Sequence, residues 1–290
     1  MNEHMWGKFI YVRTNFIYQP DNRIYKFISD VLFKEYCNNK ICGSDLDKIN
    51  AVCLHLFNEL FGSSDTFSIN SKNNINIVEY IIIWLSYILS LKPHEGITNL
   101  NDFYDKYIKD GEKYNKKIDG VTAYESYKDL IDKKENLMNI GIKDMSRFYH
   151  AFNELSNMYN GFDTKKTDCK NYLKDAKNFV KKYDELNEDY NNGKNSPYNQ
   201  LLSTLSNDYN RFKNICNGAQ SSNFPSLPTY SRRLLIKNTL ISIGFIFVAV
   251  SIFLGIAYKY SLLGFRKRSQ KQCLREKIKN IKNKMTNNIC

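Results

Sequence analysis

Apolar residues recur at helical spacing through most of the first 216 positions. Ile24, Phe27, Ile28, Val31 and Leu32 fall at i, i+3, i+4, i+7 and i+8, the stripe of one half-buried helix. Ser44-Asp45-Leu46-Asp47 sets a capping serine three residues before an acid that can reach back to its amide. Leu46, Ile49, Cys53, Leu56 and Leu60 follow, and Gly62 is placed to stop that helix. Tyr124, Tyr127, Ile131, Leu137 and Met138 mark another helix, as do Met145, Phe148, Phe152, Leu155 and Tyr159. Ala176, Phe179, Val180 and Tyr183 mark a further one. Ser196-Pro197 opens the next, ahead of Leu201, Leu205, Tyr209 and Phe212. Segments 62–73, 93–101, 110–122 and 188–195, rich in Gly, Asn, Lys and Asp, read as loops. No run alternates apolar and polar residues over a strand's length, so the expected fold class is all-α.

Two stretches are apolar all round. Tyr80–Leu91 (YIIIWLSYILSL) spans about 18 Å as a helix, too short to cross a bilayer, and Lys92-Pro93 ends it. It predicts the central core helix. Between Lys237 and Lys259 lie twenty-one residues without a charge, Asn238–Tyr258, twelve of them Leu, Ile, Val or Phe. Their helical length of about 31 Å matches a bilayer's hydrocarbon core and predicts a single transmembrane helix. Residues 217–231 (NGAQSSNFPSLPTYS) lose periodicity and gain Pro and Ser, as a flexible stalk would. Beyond the run, Leu274, Ile278, Ile281 and Met285 recur at helical spacing among basic residues. They read as an amphipathic helix for an anionic leaflet or as a solvated basic coil. The expected organisation is a helical domain (1–216), a Pro/Ser stalk and juxtamembrane linker (217–237), the span (238–258) and a basic tail (259–290).

Charge sharpens this division. Of the net +12, residues 259–290 hold ten Lys/Arg against Glu276 alone, so +9 belongs to the tail. Arg266, Lys267, Arg268, Lys271, Arg275, Lys277 and Lys279 are the candidate lipid contacts. Each basic residue near an anionic surface contributes about 1 kcal/mol, and their place behind a hydrophobic run favours lipid over nucleic acid as partner. The opening MNEHMWGKFIYVRTNF lacks the apolar core of a signal peptide, so the span is expected to target the chain. Three basic residues precede the span within about twenty positions and seven follow it, which places the tail on the cytosolic side and the domain across the membrane. A tail-anchored arrangement with the domain cytosolic stays open. No asparagine opens an N-x-Ser/Thr sequon, so the domain is expected to be unglycosylated.

The domain carries Cys37, Cys42, Cys53, Cys169 and Cys216; Cys273 and Cys290 follow the span. The first three do not have a zinc spacing, and His4, His55, His94 and His150 lie near no second ligand, so no metal is expected. In an oxidising compartment four of the five domain cysteines should pair, with a bridge from the Cys37–Cys53 cluster to Cys169 or Cys216. The alternative is five inert thiols. No phosphate loop, nucleophile elbow, H-E-x-x-H or kinase motif is present, so neither catalysis, cofactor nor small-molecule substrate is expected. Tyr and Phe fall on the helical stripes, as packing residues do.

The longer motifs point to a family. PTYSRRLLIKNTLISIGFIFVAVSIFLGIAYKYSLLGFRKRSQKQCLREKIKNIKNKM (Pro228–Met285) resembles the C-terminus of the Plasmodium interspersed-repeat (PIR) proteins of rodent malaria parasites. The resemblance extends through CNNKICGSDLDKINAVCLHLF (Cys37–Phe57), NNINIVEYIIIWLSYILSL (Asn73–Leu91) and YKDLIDKKENLMNI (Tyr127–Ile140). FYHAFNELSNMY (Phe148–Tyr159) and NSPYNQLLSTLSNDYN (Asn195–Asn210) continue it. It implies variant, membrane-associated or exported proteins of infected cells, with a helical exoplasmic domain that meets a host protein or antibody. It implies no catalytic residue. The family's cysteine pattern maps onto the five domain cysteines, and the chain departs from it at Trp6, Ser156 and Tyr172, where further cysteines are implied. Cys273 stands where the family tail usually has Tyr.

Overall fold

The computed structural model describes residues 3–29, 31–71, 76–122, 124–162, 169–189, 192–193, 195–219, 223–228 and 232–286. Side chains are described for these residues except 3, 69–71, 217–219, 232–244, 260–266 and 285–286. The chain divides into two units, Met1–Tyr230 and Ser231–Cys290.

The first unit is helical with one β-hairpin. It opens with α1 (Glu3–Asn15), whose Met5, Trp6, Phe9 and Val12 are buried. Strands β1 (Phe16–Gln19) and β2 (Ile24–Phe27) then pair antiparallel, Phe16 opposite Phe27 and Tyr18 opposite Tyr25. Arg23 turns the chain between them in the left-handed region, φ 52°. A short α2 follows (Val31–Lys34).

This corrects the helix expected from Ile24 to Leu32 and the absence of strands. Burial follows Phe16, Tyr25 and Phe33, while Ile24, Ile28, Val31 and Leu32 face out. Aromatic rings stacking beneath the hairpin, Phe16 on Tyr25 at 5.6 Å, decide the register against the aliphatic stripe.

Helix α3 (Asp45–Phe61) starts at the capping box read from the sequence. The Ser44 hydroxyl accepts from the Asp47 amide at 3.1 Å, and the Asp47 carboxylate accepts from the Ser44 amide at 2.9 Å. At Gly62 an added Cβ would lie 2.4 Å from the Asn58 carbonyl oxygen, so the stop requires glycine. Helix α4 (Ser64–Ser71) occupies part of the expected loop 62–73.

Helix α5 (Ile77–Ser90) is the central core helix, buried on nearly every side. After it come α6 (Leu100–Phe103), which runs into a π-helical turn at Tyr104–Ile108, and α7 (Glu112–Asn115). The single stripe Tyr124–Met138 forms two helices, α8 (Tyr127–Asp132) and α9 (Glu135–Met138), because Lys134 leaves helical geometry at φ −120°, ψ 22°.

Helix α10 (Ile142–Tyr159) packs along α5, with α1, α11 (Leu173–Asn187) and α12 (Pro197–Ala219) also against it. The Ser196 hydroxyl caps α12 by accepting from the Asn199 amide at 3.1 Å. Trp6 binds α1 to this bundle: its ring stacks on Tyr159 at 5.1 Å and lies 5.4 Å from Phe152 and from Tyr80. Those two α10 rings flank buried Ser156, so aromatic packing fills the region where the family resemblance implies cysteines. Tyr172 meets Phe162 and Phe212 edge-on.

The stalk also needs correction. Helix α12 reaches Ala219, and residues 223–228 are held on the domain rather than free. Phe224 is buried 5.9 Å from Phe212, and the Pro225 carbonyl accepts from the Tyr209 hydroxyl at 2.7 Å. The second unit is one helix, α13 (Arg232–Thr286), continuous through the boundary at which span and tail were to separate.

Candidate functional site

The domain cysteines occupy three places. Cys37 and Cys42 form a disulfide with Cα atoms 5.0 Å apart, closing the turn between α2 and α3. Cys169 and Cys216 form a second, Cα atoms 5.6 Å apart, joining the segment before α11 to the end of α12. No bridge links the Cys37–Cys53 cluster to the C-terminal half, because Cys53 lies inside the domain on α3. Its thiol is fully buried and is pushed up to about 12 by desolvation, which makes it an inert packing group.

Several polar pairs among the described residues fasten helices. Lys134, just before α9, reaches Glu79 of α5 at 2.7 Å and the Asn76 side chain at 2.9 Å, and Asn76 donates to Thr204 of α12 at 3.2 Å. Tyr80 of α5 donates to the carboxylate of Asp208 on α12 at 2.5 Å. Tyr159 of α10 donates to the Asp208 carbonyl at 3.0 Å. Burial raises the Asp208 carboxyl to about 6, against the opposing effects of the Tyr80 hydrogen bond and the Arg211 charge. The sequence signal for this residue was its spacing, since position 208 lies three residues after Leu205 and four before Phe212 on the buried stripe.

A carboxyl whose folded pKa is raised favours the fold most below its unfolded pKa near 4. That contribution is lost as pH rises through about 6. Stability of residues 1–230 should therefore fall between pH 4 and pH 6 relative to Asp208→Asn, whose profile should be flatter. Urea midpoints at several pH values measure it; parallel profiles would refute the linkage.

Two adjoining clefts are shallow and mixed in character. One of about 250 Å³ lies among Tyr36, Leu54, Asn58, Lys113, Lys116 and Tyr127. A neighbour of about 320 Å³ shares Tyr36, Leu54 and Lys113. Neither gathers a nucleophile with a base. Among the described residues no group of three or more His, Cys, Asp or Glu is placed to hold a metal ion.

Along α13, the described side chains of the run 238–258 are those of 245–258, and all are exposed. No helix among the described residues is long and apolar enough to cross a membrane. In the tail, Lys267, Arg268, Lys271, Arg275, Lys277 and Lys279 are exposed, and Arg266 lies outside the described side chains. Leu274, Ile278 and Ile281 are exposed as well, an apolar face with lysines and arginines around it. Cys273 is an exposed free thiol.

No curated protein matches the sequence. A solved structure of a Plasmodium PIR protein ectodomain is similar, with a TM-score of 0.62 and 34% identity, over 79% of this chain and 97% of that one. The family model of the Plasmodium variant antigen protein Cir/Yir/Bir matches residues 6–259. A matched region that runs through every core helix of the first unit makes the conclusion direct: the chain belongs to the Plasmodium Cir/Yir/Bir variant antigen family.

Proposed function

We propose that this protein is a single-pass membrane variant antigen whose helical domain is displayed on the exoplasmic side and meets a host protein or antibody there. The observation that carries the reading is the uncharged run 238–258 backed by ten basic residues and one acid. Family membership and similarity to a structure described as an ectodomain support it. So do the two disulfides, which persist in oxidising compartments. The exposed apolar side chains from Phe245 to Tyr258 have the character that lipid tails receive. The role is display and binding, not catalysis.

Protease protection on intact infected cells, with a tag at each end, tests the topology. The expected result is a protected C-terminal tag, a cleavable N-terminal domain, and resistance of the full chain to alkaline carbonate extraction. Mass spectrometry after alkylation of the denatured, unreduced domain should find Cys53 modified and the other four domain cysteines paired. Release by carbonate would defeat the anchor. Five modified thiols would make the protein a non-enzymatic adaptor with a cytosolic domain at a parasite-derived membrane.

The tail gives a separate prediction. A 259–290 peptide should bind phosphatidylserine vesicles through distributed charge and the Leu274–Ile281 face. Affinity should fall steeply as salt rises, because exposed charges are screened within about 8 Å at physiological ionic strength. Equal binding to neutral vesicles, measured by tryptophan-free fluorescence labelling or flotation, would contradict it.

A further inference from the structure

Among the described residues of the 1–230 unit six large apolar side chains stand exposed, and five of them lie between Ile24 and Ile41. Strand alternation turns Tyr25 inward and Ile24 and Lys26 outward. Ile28 follows, 56% exposed. Under α2, Phe33 is buried and its ring meets Phe27 at 5.2 Å, which ties the hairpin to the helix from beneath. Val31 and Leu32 are left outward, 69% and 48% exposed.

The Cys37–Cys42 bridge then closes a turn in which Asn39 and Lys40 both have left-handed φ, 48° and 62°. The Ile41 amide donates to the Asn38 carbonyl at 2.8 Å, and Ile41 stands 71% exposed. A lysine held in that conformation costs about 1–2 kcal/mol, so the turn keeps its shape because the bridge and hydrogen bond impose it. The result is a projecting rim of aliphatic side chains on a fastened backbone.

The charge between them is mixed, with a positive excess. Arg23, Lys26, Lys34 and Lys40 lie within residues 22–42 against Asp30 and Glu35, a net +2. Glu35 pairs with Lys40 at 2.7 Å. The adjoining cleft carries Lys113, Lys116 and Lys117 with Glu35 and Asp119.

We propose that this aliphatic and cationic rim is a docking surface for an anionic lipid bilayer, separate from the span and the tail. A second copy of the chain would set cations against cations. The exposed apolar groups here are all Ile, Val or Leu, without the Trp or Tyr that centre many protein interfaces. Branched aliphatics entering the acyl boundary while lysine stems extend to headgroups match the rim in both respects.

The test uses residues 1–230, which hold their own core and correspond to a similar ectodomain solved as a separate chain. This piece lacks the tail and the span, so its outcome is independent of the proposed topology. Flotation with phosphatidylcholine vesicles is compared with phosphatidylcholine–phosphatidylserine vesicles. Binding is expected to the anionic vesicles alone and to weaken with salt. Val31→Asp with Ile41→Asp should lower it at least about tenfold with the circular dichroism spectrum unchanged. Lys26→Glu, at an exposed strand position, should weaken it independently. Absence of binding would overturn the proposal and leave the face to an acidic protein partner. Binding that survives both sets of substitutions would overturn it as well.

Discussion

Trp6→Ala is expected to destabilise the 1–230 domain by about 3–5 kcal/mol, the range for removing a large buried aromatic. The residue is fully buried and stacks on Tyr159 while its ring lies tilted against Tyr80 and Phe152. It is therefore a principal tie between α1 and the α5–α10 pair. Truncation leaves a cavity bounded by three aromatic rings that cannot collapse independently, since Tyr80 is fixed to Asp208 and Tyr159 to the Asp208 carbonyl. Urea denaturation monitored by circular dichroism measures the loss. A change under about 1 kcal/mol would show that α1 is not integral to the fold.

Removing the Cys169–Cys216 disulfide by serine substitution should cost about 4 kcal/mol in the chain-entropy account. The shorter Cys37–Cys42 bridge should cost about 2 kcal/mol. The difference follows from loop length: the first pair is 47 residues apart and the second 5. For a domain of this size the longer bridge corresponds to a melting-temperature drop of roughly 8–16 °C. Thermal melts of the two variants beside the parent decide it, and a larger loss for Cys37–Cys42 would reverse the assignment. Cys53→Ala serves as the control for packing alone, because that thiol makes no bridge.

Where helical period and burial coincide, the chain was readable. Helix α5 was announced by its apolar sequence, α3 by its capping box and glycine stop, and α10, α11 and α12 by stripes that reach the core. Helix α1 was not read from the sequence: Met5, Phe9, Val12 and Phe16 are spaced as a stripe, but charged and polar residues lie between them. Nor was the hairpin. Ile24 to Leu32 imitates a helical stripe, and only the rings packed beneath reveal that Tyr25 and Phe33 are the inward residues.

By itself the sequence determined the helical class, most of the core helices and the family. These rest on local periodicity, composition and long motifs, which adjacent residues carry. Only tertiary structure decided which cysteines pair, why Cys53 does not, and that residues 223–228 lie against the domain. It also decided which apolar residues between Ile24 and Ile41 remain outside. Those outcomes depend on contacts between residues far apart in the chain, where competition for the same buried space, rather than local propensity, selects the arrangement.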